Sequence, residues 1–135
     1  MAKKIFINLP VADLQRATAF YTEIGFTNNP QFTDETAACM VLTDEIYVML
    51  LTHPKFKEFT SKDIGNAFST ASVIHSLSLD SADEVNMIAD KAFSAGGKKT
   101  NEPKDYGFMQ QRSFQDLDGH LWEVVYMDVT KFPTE

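Results

Sequence analysis

Three observations predict an α+β fold made of two βαβββ modules. A β-prone run, a capped amphipathic helix and three more strand-like runs occur in that order, and the whole order then repeats within 135 residues. The two copies align weakly: Leu9, Val11 and Asp13 match Leu77, Leu79 and Ser81 at an offset of 68, and Asp44–Met49 matches Asp118–Glu123 at an offset of 74. The difference of six residues points to an insertion in the second copy, placed at the loop around Pro103. Finally, each half has only about 60 residues, too few to bury a helix and a four-stranded sheet alone, so the halves are expected to pack as one domain. Residues 1–135 are read as that domain, with module 1 at approximately 1–60 and module 2 at approximately 70–135.

The first strand is expected over Lys3–Leu9, stopped by Pro10. Asp13 stands where a helix N-cap belongs; Leu14, Ala17, Phe20, Tyr21 and Ile24 follow at helical spacing, and Gly25 closes the helix. Strands are expected at Phe26–Phe32, Ala37–Leu42 and Ile46–Thr52, with a short helix and linker over Pro54–Gly65. The second module opens with a strand over Ser72–Leu79. Ser81 or Asp83 caps a helix that carries Val85, Ile88, Ala89, Ala92 and Phe93 on one face, and Gly96-Gly97 ends it. Lys98–Asn101, Gly107–Phe114 and Leu121–Met127 complete the set, the last two joined by a turn at Asp116–Gly119.

Composition narrows the function classes. Twelve Lys and Arg against nineteen Asp and Glu give a formal charge of −7 and a pI near 4.9. A nucleic acid or an anionic membrane demands a basic face, so neither is expected as a partner. The start of the chain carries no signal-peptide core, and Cys39 has no second cysteine to pair with, so a cytoplasmic location is expected. Cys39 beside Ala37-Ala38 reads as a buried, unreactive thiol. No Gly-rich phosphate loop, Gly-x-Ser-x-Gly elbow, Cys-x-x-Cys pair or His-x-x-x-His helix occurs.

Several stretches together carry a family resemblance. Leu9-Pro10-Val11-Ala12-Asp13-Leu14 precedes Ala19-Phe20-Tyr21 and Gly25-Phe26, and the late Asp116-Leu117-Asp118-Gly119-His120-Leu121-Trp122-Glu123 forms a last hairpin. With Phe6–Val11, Pro30–Glu35 and Asp105–Met109, these resemble the vicinal oxygen chelate superfamily over essentially the whole chain. The likeness is nearest to the glyoxalase/bleomycin-resistance group, which includes predicted lactoylglutathione lyases. It implies a curved mixed sheet around an open cavity, a small-molecule ligand and a homodimer. In metal-dependent members, four inward His and Glu side chains hold a divalent cation that stabilises an enediolate or paired substrate oxygens.

Carried over position by position, that quartet becomes Phe6, Met49, Ile74 and Glu123. Three of the four have no ligand for a hard or borderline cation, so no metal cofactor is expected. The position that implies an arginine for the glutathione carboxylate holds Pro10, which also puts glutathione in question.

Glu123 remains as the candidate catalytic residue, a general acid or base facing an apolar cavity, or else a remnant carboxylate paired with a cation. Parity puts Asn8 on a face with Phe6, and Tyr47 on a face with Met49; Asn8 and Tyr47 would offer hydrogen-bonding groups to a ligand. His53 continues the period-two series from Met49 and Leu51 and is expected to reach the cavity from a strand end. Arg112 is expected either to clamp a substrate carboxylate or pair with Glu123, or to lie at the surface. His75 is expected to face the helix; a one-residue slip would instead bring it to Glu123 as a weak metal site. Two functions stay open: a lyase or isomerase working by proton transfer at Glu123, and a metal-free protein that sequesters a small aromatic or cationic compound.

Overall fold

Helix α1 (Leu14–Glu23) begins where the Asp13 carboxylate accepts the backbone N–H of Arg16 at 3.1 Å. Helix α3 (Ala82–Ser94) begins in the same way, with the Ser81 hydroxyl accepting the N–H of Glu84 at 3.1 Å. Both helices also end alike. Gly25 at φ 118° and Gly96 at φ 105° turn the chain, and the N–H groups of Phe26 and Gly97 reach back to the carbonyls of Tyr21 and Ala92 at 2.9 and 2.8 Å. Only glycine adopts such φ values without strain. Between these helices lies a shorter one, α2 (His53–Phe56), capped by Thr52.

The computed structural model describes residues 3–131. Its strands are β1 (Ile5–Val11), β2 (Thr27–Asn29), β3 (Ala37–Val41), β4 (Ile46–Thr52), β5 (Ile74–Ser78), β6 (Lys98–Lys99), β7 (Lys104–Asp105), β8 (Met109–Gln115) and β9 (Leu121–Met127). The chain divides into two compact units, Met1–Thr70 and Ala71–Glu135. The first holds a mixed sheet in the order β1-β4-β3-β2, the second a sheet in the order β5-β9-β8-β6 with β7 also paired to β8. In each, the first strand runs parallel to the last (β1 with β4, β5 with β9) and the other pairs are antiparallel.

Each sheet buries one face against its own helix. In the first unit α1 contributes Ala17, Phe20 and Tyr21 to a core that also holds Leu9, Val11, Ala38, Met40, Val48 and Leu50 of the sheet. In the second, Val85, Ile88, Ala89 and Ala92 of α3 cover Leu77, Phe114, Trp122 and Val124. Burying each of the larger side chains contributes roughly 1.5–3 kcal/mol before entropy is set against it. Strand alternation leaves the opposite face of each sheet to Phe6, Asn8, Tyr47 and Met49 in one unit, and to Ile74, Ser76 and Glu123 in the other.

Several boundaries differ from the sequence expectation. β1 continues through Pro10 to Val11 because it ends its sheet, where an absent N–H can be turned away from the ladder. The run Phe26–Phe32 is strand only at Thr27–Asn29; Pro30 then opens a 3₁₀ turn capped by the Asn29 side chain. Lys98–Asn101 shortens to Lys98–Lys99, and Lys104–Asp105 adds a strand the pattern did not show. Nor does the inserted length lie wholly at Pro103. α3 has 13 residues against 10 in α1, and the terminal glycines Gly25 and Gly96 stand 71 apart. The offset therefore grows by three within the helix and by three more before β8.

Candidate functional site

On the open face of the first unit, Phe6 and Tyr47 are cross-strand partners, and so are Asn8 and Met49. The rings of Phe6 and Tyr47 stack with centroids 4.4 Å apart and planes 12° from parallel. Phe6 is 51% exposed, so one aromatic face remains open to solvent. The Tyr47 hydroxyl is held twice: it donates to the carbonyl of Asp44 at 2.9 Å and accepts from Lys4 Nζ at 3.3 Å. The Lys4 ammonium also lies 5.5 Å from the Tyr47 ring centre. Cys39 stands opposite Met49 on the same face. Its burial pushes the thiol pKa up, which suppresses thiolate chemistry.

On the open face of the second unit, Glu123 lies opposite Ser113 on β8 and Ser76 on β5. Gln111, diagonal to it on β8, donates a hydrogen bond to Glu123 Oε2. Ile74 is 58% exposed and pairs with Leu121. Within its own unit Glu123 thus has Ser76 and Ser113 as strand partners and the Gln111 amide as its hydrogen-bond donor. The alternation of β8 puts Gln111 and Ser113 on one face and Arg112 on the other, a consequence of the register that composition alone does not reveal.

Arg112 therefore does not pair with Glu123. Its Nη1 donates to Asp90 and Asn86 of α3 at 3.1 and 3.2 Å, and its guanidinium lies 5.4 Å from the ring centre of Phe93. His53 is likewise corrected. The Thr52 side chain caps a helical turn in which Pro54 sits near the start, so the period-two series stops and His53 becomes its exposed first residue. His75 does face the helix side: it pairs with Trp122 and its ring centre lies 4.8 Å from the indole. Its Nε2 is buried without a partner among the described residues, and burial followed by the charge of His120 pushes its pKa down.

The divalent cation implied by the fold family does not suit this donor set. Met49 has Asn8 as its strand partner and Glu123 has Ser76, so neither pair joins two strong ligands. Among the described residues no three His, Cys, Asp or Glu side chains come together as a cation site. Gln111 is the residue that sequence reasoning passed over. The signal lay in the length of the Asp116–Gly119 turn, which fixes the hairpin register and so brings Gln111 diagonal to Glu123.

Comparison with known proteins places this geometry. Residues 3–42 match the family model described as bleomycin resistance protein-like N-terminal. No curated protein matches the chain. A hypothetical protein, SA1046, from S. aureus superimposes with a TM-score of 0.78 at 25% identity, over 93% of this chain and 94% of that one. A glyoxalase/bleomycin resistance protein/dioxygenase family enzyme from Burkholderia phytofirmans PsJN gives 0.77 at 15% identity, over 93% and 99%. The fosfomycin resistance protein FosX from Mesorhizobium loti gives 0.68 at 16%, over 97% and 98%. Two sheets, each with its parallel outer pair and covering helix, thus give the chain the glyoxalase/bleomycin-resistance fold, and residues 3–42 match the bleomycin-resistance-like N-terminal model.

Proposed function

We propose that this protein belongs to the glyoxalase/bleomycin-resistance family as a metal-independent binding protein that takes up a small planar compound, aromatic and cationic, on its open sheet faces. The observation that carries this reading is the Phe6–Tyr47 stack. A half-exposed aromatic pair, fixed by Lys4 and the Asp44 carbonyl, offers a rigid surface for a flat ring at little cost in side-chain entropy. The net charge of −7 favours the approach of a cation. Phe6 and Asn8 also fall within the segment that matches the bleomycin-resistance-like model. Titration calorimetry against a panel of planar cationic aromatics tests the proposal. Phe6→Ala and Tyr47→Ala should each weaken binding about tenfold or more, in line with the ~1–3 kcal/mol of one aromatic stack. An affinity unchanged from the parent protein in both variants would refute it.

A second reading rests on Glu123. A carboxylate held by the Gln111 amide on the open face is placed to move a proton in a lyase or isomerase reaction, lactoylglutathione lyase-like in type. Thioester absorbance with methylglyoxal–glutathione hemithioacetal, with and without Ni²⁺ or Zn²⁺, distinguishes the two. Turnover lost in Glu123→Gln supports this reading, and absence of turnover under every condition leaves the binding function. In either case the working unit is proposed to be a homodimer, which light scattering on the purified protein checks.

A further inference from the structure

A cavity of about 200 Å³ lies in the second unit where α3, β7 and β8 meet, and Gln111, the partner of Glu123, is part of its wall. It is lined by Val85 and Asn86 of α3, by Pro103, Lys104 and Asp105 at β7, and by Gln110, Gln111 and Arg112 of β8. β7, which forms one wall of the crevice, belongs to chain length that the first module does not have. It gives a concave surface with polar groups converging on it.

The donors outnumber their partners. Arg112 is held in place by the Phe93 ring, Asn86 and Asp90, yet these polar contacts engage only Nη1; Nε and Nη2 remain able to donate. Because the Asn86 carbonyl accepts from Arg112, its amide N–H groups are also available to donate. Lys104 has no ion-pair partner among the described residues, although three donors sit on its ammonium. The opposing acids are already engaged. Asp105 accepts from the Gly107 N–H at 2.8 Å and from Gln110 at 3.1 Å, while the Asp90 side chain is 68% exposed and its ion pair with Arg112 is correspondingly weak.

We infer that this crevice is a binding site for a small oxyanion, the carboxylate or phosphate group of a metabolite-sized compound. One oxygen is received by the guanidinium and the Asn86 amide, and Lys104 closes over the other side. The planar fork of Arg112 suits both groups, which share oxygens at the spacing of adjacent N–H donors. The ligand competes with Asp90 for the arginine, so affinity is set partly by that exposed acid.

Inorganic phosphate and succinate, titrated separately and followed by amide and side-chain NMR shifts, test the site. Either ligand should shift the Asn86, Gln110 and Gly107 signals in a saturable way; which one does so distinguishes the two ligand classes. Lys104→Gln, at an exposed position, should weaken binding several-fold without altering the fold, and Arg112→Gln should abolish it. Asp90→Asn should tighten it by releasing the guanidinium. Shifts that do not saturate, or an unchanged affinity in Lys104→Gln and Asp90→Asn, would overturn the assignment.

Discussion

At the scale of single residues, burial and register decide what a side chain can do. His75 presents Nε2 to a buried environment without a hydrogen-bond partner among the described residues, beside Trp122, and its pKa is lowered by desolvation and then by His120. The unfolded chain takes up that proton near its ordinary value of 6.5, and the folded chain resists it. The native state is therefore unaffected above that value and loses stability as the pH falls through it towards the lower folded pKa. Thermal unfolding of His75→Phe should show a smaller loss of Tm between about pH 7.5 and about pH 5.5 than the parent protein. Cys39 makes a second case. With its thiol buried and its pKa raised, native protein should react with a disulfide reagent only at the rate of local or global opening, and at once in denaturant. Immediate stoichiometric labelling of the native chain would contradict that. Sequence alone anticipated both environments, His75 from parity along its strand and Cys39 from its small apolar neighbours Ala37-Ala38. It did not anticipate Gln111 on Glu123 or Asp90 on Arg112, contacts that depend on the partner strand and on the helix above it.

At the scale of elements, the repeated helix ends carry the clearest test. Gly25 and Gly96 occupy equivalent turns at φ 118° and 105°. A Cβ at Gly25 would meet nothing within 4 Å, whereas one at Gly96 would come within 2.9 Å of Leu117 Cδ2. Gly25→Ala thus reports backbone strain alone, expected at roughly 1–2 kcal/mol. Gly96→Ala should cost that and a fraction more, since the flexible end of Leu117 can give way. Chemical denaturation of the two variants measures the difference, and a neutral Gly25→Ala would contradict the strain argument. Helices and caps were legible because their signals lie within three or four residues of each other, as in Asp13 with Arg16 and Ser81 with Glu84. The short strands were not. β2, β6 and β7 have two or three residues each and exist only through pairing with β3 or β8, so nothing local marks their limits.

At the scale of the whole molecule, two units of similar construction are joined through the segment between α2 and β5, which has no strand or long helix of its own. Lys57 and Lys62 lie in it and are exposed. Limited trypsin digestion should cut there first and release two large fragments that mass spectrometry resolves; early cleavage within a sheet would contradict this. Among the described residues no helix is long and apolar enough to cross a membrane. By itself the sequence determined the α+β class, the order of the longer strands and helices within each half, the caps and closing glycines, and that three of the four positions where the resemblance implies metal ligands hold Phe6, Met49 and Ile74. Each of these depends on residue type or on neighbours a few positions away. The tertiary structure decided what meets each side chain on its face: the stack of Phe6 on Tyr47, the polar setting of Glu123, the engagement of Arg112 by α3, and the crevice between α3, β7 and β8. Those contacts join residues from 12 to 41 positions apart, and pairing between strands, rather than propensity along them, sets such distances.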